Sequence, residues 1–181
     1  MSINIPNIRI ALYDFISEFC EPKVNNECII LGNQNNVSLP TETDNYIIFY
    51  IQNIIRHGTN IERYQDATES YSMIENNEIV AQIDCYCDSN NGLDDSRAYT
   101  MAKSLEIAFR SELGTQFLKK YNLCTLYAED IRNTTITSES NTFLNKYTVI
   151  CHLAGNFEYN KQIDTFTHVN VGIKDVDVKY K

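Results

Sequence analysis

At 181 residues and 43% hydrophobic content, the chain carries enough apolar material for one well-filled core, which argues against disorder of the whole chain. Its 24 acidic against 15 basic residues give a net charge of −9, and that balance argues against a free-standing nucleic-acid binder, whose phosphate contacts need clustered Lys and Arg. No apolar stretch approaches the roughly 20 residues of a membrane helix. In chain order, residues 7–19 come first, with Ile8, Leu12, Phe15, Ile16 and Phe19 at helical spacing and Pro6 and Pro22 as brackets, so an amphipathic helix is predicted. Residues 28–31 form a short apolar run read as a strand, and the Asn/Ser/Thr/Pro-rich segment 32–44 reads as a loop. Residues 45–56 are apolar on both alternating faces, which predicts a central strand covered on both sides.

Residues 59–77 are polar and aperiodic, as in a long connection or a frayed hairpin. Residues 78–88 then alternate cleanly: Ile79, Ala81, Ile83, Cys85 and Cys87 share one face, as expected of a half-buried strand. Asp94 or Asp95 is placed to cap the helix that follows, 96–113, whose stripe is Ala98, Met101, Ala102, Leu105, Ala108, Phe109 and Leu113, with Gly114 as its stop. A short helix over 115–121, a strand over 123–127, a polar loop or hairpin tip over 133–145 and a two-faced strand over 146–154 follow. Thr165, Thr167, Val169 and Val171, and then Val176, Val178 and Tyr180, close the chain with a period of two. The late strands lack intervening helices. The expected fold class is therefore α+β: a mostly antiparallel sheet with two or three helices packed on one face. A single domain 1–181 is expected, with a C-terminal strand or hairpin arm over 161–181.

Little catalytic chemistry is legible. His57, His152 and His168 fall on separate predicted elements, and no C-x-x-C or H-x-x-x-H spacing occurs, so no metal or other cofactor is expected. Residues 1–6 carry neither the basic nor the apolar part of a secretory signal, so the six cysteines are read as reduced, buried small hydrophobes. Asp84 with the Asp177-Val178-Lys179 triplet offers one alternative of chemical interest, a metal-dependent nuclease with carboxylates for Mg²⁺ and a Lys to orient water, and Cys85 with Cys87 on one strand face offers another, metal chelation helped by Cys151 or Cys124. No G-x-S-x-G or Gly-rich phosphate loop is present.

The order of elements, and above all Ile79-Val80-Ala81-Gln82-Ile83-Asp84-Cys85-Tyr86 followed by the helix Arg97-Ala98-Tyr99-Thr100-Met101-Ala102, resembles the tail-terminator and neck terminator proteins of tailed bacteriophages over about residues 7–160. The resemblance implies a structural, non-enzymatic virion subunit, assembled in the host cytoplasm. It implies a homo-oligomeric ring, usually hexameric, that ends the tail tube and joins tail to head. Its partners would be tail-tube and neck or connector proteins, with DNA only passing through the ring and no membrane involved. The acidic balance suits a lumen that repels phosphate. The candidate interface residues are Phe166, Val169, Val171, Val176, Val178 and Tyr180, on a terminal strand whose free edge could pair with a neighbouring chain. A protein-binding adaptor outside the virion is the alternative in a different class.

Overall fold

The two helical stripes and the short helix read from the sequence become three helices in the computed structural model, which describes residues 5–33, 45–65, 70–88, 96–137 and 143–162. They are α1 (Ile5–Phe19), α2 (Ser96–Phe109) and α3 (Glu112–Lys119). The predicted cap at Asp94 or Asp95 and the predicted strands after residue 162, with all six candidate interface residues, lie outside the described residues, as does most of the predicted loop 32–44.

Among the described residues, eight strands form one sheet: β1 (Ile29–Leu31), β2 (Asn45–Arg56), β3 (Ile61–Gln65), β4 (Ser70–Asp88), β5 (Leu123–Ala128), β6 (Arg132–Asn133), β7 (Ile136–Thr137) and β8 (Phe143–Gln162). The order is β1-β2-β4-β8-β5, with β3 beside β4 and with β6 and β7 beside β8. Among the described residues, only the β1–β2 pair is parallel. This is the expected α+β class.

The helices share one face of the sheet. Ile8, Leu12, Phe15 and Ile16 of α1, and Met101, Ala102, Leu105 and Phe109 of α2, bury against Ile79, Ile83 and Cys85 of β4 and Val149, Cys151 and Leu153 of β8. Each large side chain so buried contributes about 1.5–3 kcal/mol of transfer free energy. Aromatic edges close the end of this layer, with Phe15 against Phe109 at 5.7 Å and against Phe117 at 6.0 Å.

Several expectations need correction. α2 stops at Phe109, and Leu113 is 68% exposed rather than part of the stripe. Gly114 does not end a helix; it lies inside α3, which starts on Ser111, whose Oγ accepts the Gly114 N–H at 3.1 Å. The glycine is required by close approach, since a Cβ there would sit 2.2 Å from the Ala108 carbonyl oxygen. β2 is not central and is not covered on both sides: only Tyr46, Ile47 and Phe49 of this strand are buried, because helices cover one face and β1 pairs with just three of its residues. The polar segment 59–77 takes the hairpin alternative rather than the long connection, with β3 antiparallel to β4 from Ile61↔Ile74 to Gln65↔Ser70. β2 breaks at His57–Asn60, where Gly58 takes a φ of 79°, and the chain resumes in β3 along the same edge of β4. Five cysteines are buried, but Cys124 is exposed, because it follows the inward Leu123 on β5 and points to the other face. No disulfide joins the six.

Candidate functional site

The face away from the helices carries the polar chemistry. Register places Glu78, Val80, Gln82, Asp84 and Tyr86 of β4 on it, opposite Ala154, His152, Ile150, Thr148 and Lys146 of β8. Two clusters result.

In the first, Glu78 accepts from two histidines, His57 Nε2 at 2.7 Å and His152 Nδ1 at 2.6 Å. His152 also turns Nε2 toward Glu129 at 3.4 Å, and Glu129 pairs with Arg132 at 2.6 Å. Tyr127 stacks on the His152 ring, centroids 4.0 Å apart and planes 13° apart. Both ring nitrogens of His152 thus face carboxylates. The hydrogen bonds from His152 and then His57 hold the Glu78 carboxyl below its ordinary value. Sequence reading placed these histidines on separate elements. His57 lies in the break after β2 and His152 on β8, and strand pairing brings both onto one carboxylate. His168 lies outside the described residues.

In the second cluster, buried Asp84 accepts from Thr148 Oγ1 at 2.6 Å and Gln82 Nε2 at 2.9 Å, and pairs with Lys146 Nζ at 3.0 Å. Burial acts to lower the Lys146 ammonium's pKa, but the hydrogen bond and charge of Asp84 outweigh it and the net shift is upward. Tyr46 and Tyr86 stack beside it at 4.6 Å. Burial, and then the Asp84 charge, raise the Tyr86 hydroxyl's pKa. Asp84 is therefore engaged by protein groups, and its proposed nuclease companions Asp177 and Lys179 lie outside the described residues. Among the described residues, no group of three or more His, Cys, Asp or Glu is arranged to hold a metal ion.

Beside the first cluster, the turn between β5 and β6 forms a shallow recess. Arg110 spans it, donating to the Ala128 carbonyl at 2.6 Å and pairing with Glu106 at 3.2 Å and Asp130 at 3.4 Å. Its charged groups are paired with one another, which fits a braced surface.

The described residues form an α+β scaffold with one helix-covered face and one ion-paired face. The family model for phage neck terminator proteins matches residues 10–177, and the chain belongs to that family. No curated protein matches the chain. Membership makes it a structural tail-terminator component of the phage virion, as the resemblance implied. No helix among the described residues is long and apolar enough to cross a membrane.

Proposed function

We propose that this chain is the repeating subunit of a homo-oligomeric ring, hexameric in our reading, that ends the tail tube and joins the tail to the neck and connector proteins. DNA passes through the ring without being gripped, and assembly takes place in the host cytoplasm. The observation that carries this reading is the family match over residues 10–177. The net charge of −9 supports it, since an acidic protein repels the phosphate backbone. The role is that of a scaffold rather than a catalyst.

In this reading residues 1–181 form one domain, and its C-terminal segment over 161–181 is an intersubunit arm. Phe166, Val169, Val171, Val176, Val178 and Tyr180 contact the neighbouring copy. The support is the period of two within Val169 and Val171 and within Val176, Val178 and Tyr180, and the position of the segment, which follows directly from β8. Deleting residues 163–181 tests this. The expected product is a folded chain, by circular dichroism, that no longer assembles. A truncated chain that aggregates or unfolds places the segment in the subunit's own core and removes the arm from the proposal.

A further inference from the structure

β4 and β8 run on well past the helix-covered core. The buried residues end at Ile79 and Leu153, apart from Asn77 and Gly155, yet pairing continues from Asn77↔Gly155 out to Ser70↔Gln162. β3 joins this extension, from Ile61↔Ile74 to Gln65↔Ser70. The result is a three-stranded arm roughly 25 Å long, at about 3.4 Å per residue. The arm has one apolar face, continuous with the helix side, bearing Tyr64, Tyr71, Met73 and Tyr159. Tyr64 and Tyr159 are 45% and 58% exposed.

Both edges of the arm are open among the described residues. β3 pairs only with β4, and β5 reaches along β8 only as far as Gly155. Neither edge contains a proline, and edges of this kind template pairing with another chain. Both β3 and β8 run antiparallel to β4, so they are parallel to each other. The β3 edge of one copy can therefore lie beside the β8 edge of the next with both faces kept in line, a heterologous contact that closes into a ring.

The charges agree with that contact. On the apolar face Glu62 stands at the β3 edge, bonded to Tyr71, and Lys161 stands at the β8 edge. On the polar face Arg63 stands at the β3 edge and Glu158 at the β8 edge. Each edge carries one acid and one base, and on each face the signs are opposite between the two edges. Diagonal neighbours on adjacent strands, about 7–8 Å apart, are within reach of such long side chains.

We propose that subunits join arm to arm, the β3 edge of one copy pairing with residues 156–162 of the next, with Glu62 facing Lys161 and Arg63 facing Glu158. The proposal rests on the ring reading and adds a second contact to the one given to the C-terminal segment, both being needed for assembly. The test measures assembly mass against concentration by analytical ultracentrifugation for the wild type, Glu62→Lys, Lys161→Glu and the double exchange, with melting midpoints as a check on folding. Glu62 and Lys161 are exposed, so the folded chain should be preserved. Each single reversal should weaken assembly by at least about tenfold, as like charges then face each other. The double exchange should return it to within about threefold of wild type. The second pair, Arg63→Glu with Glu158→Arg, should repeat the pattern. If the wild type assembles but neither pair of reversals affects it, the ring stands and this contact is wrong; residues 163–181 folding back on their own β8 edge would give that result. A wild type that stays monomeric overturns the ring and the contact together.

Discussion

Replacing Gly114 by alanine tests the close packing of α3 on α2. The new Cβ would lie 2.2 Å from the Ala108 carbonyl oxygen, 3.0 Å from its carbon and 3.3 Å from Cε2 of Phe15. The nearest obstacle is backbone, and Phe15 is fully buried among other rings, so α3 must withdraw by more than an ångström to reach ordinary contact. Two effects oppose each other. Alanine favours a helix interior over glycine by about 1 kcal/mol. Overpacking a filled core costs about 1–3 kcal/mol, and this contact belongs at the upper end. The expected net loss is about 2 kcal/mol. Urea unfolding would show it as a midpoint lowered by about 1 M at an unchanged slope near 2 kcal/mol/M. Gly58→Ala is the comparison: no atom lies within 4 Å, and only its φ of 79° is unfavourable, so about 1–2 kcal/mol is expected from the backbone alone. A Gly114→Ala midpoint equal to or above wild type would refute the packing argument.

Leu105→Ala, at a fully buried site between α2 and the sheet, should cost about 2–5 kcal/mol in the same assay, and a loss under about 0.5 kcal/mol would mean that the stripe faces water. Glu78 has a folded pKa held below its ordinary 4.5, so its contribution to stability is present above that value and is lost as pH falls through the lowered one. The melting advantage of wild type over Glu78→Gln should therefore hold from neutral pH to about 5 and shrink in stronger acid; an advantage that grows on acidification would contradict the His152–Glu78–His57 arrangement. With a thiol reagent at neutral pH, Cys124 alone should react quickly in the native protein, and the other five only after denaturation. Burial pushes the Cys20 thiol up to about 12 and raises those of Cys85 and Cys151. Two or more fast thiols would show that the core opens.

The elements built on a clean period were legible in the sequence. The α2 stripe and the alternation of Ile79 to Cys87 each follow from one-sided burial, and together they fix the packed layer. The outer half of β4 was not legible, because Glu75, Asn76 and Asn77 interrupt any apolar pattern; Asn77 is buried and satisfied by the Glu75 carbonyl at 3.2 Å. Without that half, the arm and its edges could not be drawn. The break between α2 and α3 had a readable signal, Ser111 followed by Glu112 as an N-terminal cap and acidic first turn, which Gly114 obscured. The Glu78 cluster had no local signal. His57 and His152 stand 21 and 74 residues from Glu78, and only strand register brings the three together. The exposure of Cys124 was decided by which face β5 turns to the helices, which the short run Leu123–Ala128 did not reveal.

In the proposed function, this chain works as copies of itself closed into a ring. Native mass spectrometry of the purified full-length chain, across a range of concentrations, tests it most directly. A closed oligomer is expected as the dominant species at high concentration, at six times the chain mass for a hexamer, dissociating toward single subunits on dilution. A single chain mass at every concentration would contradict it.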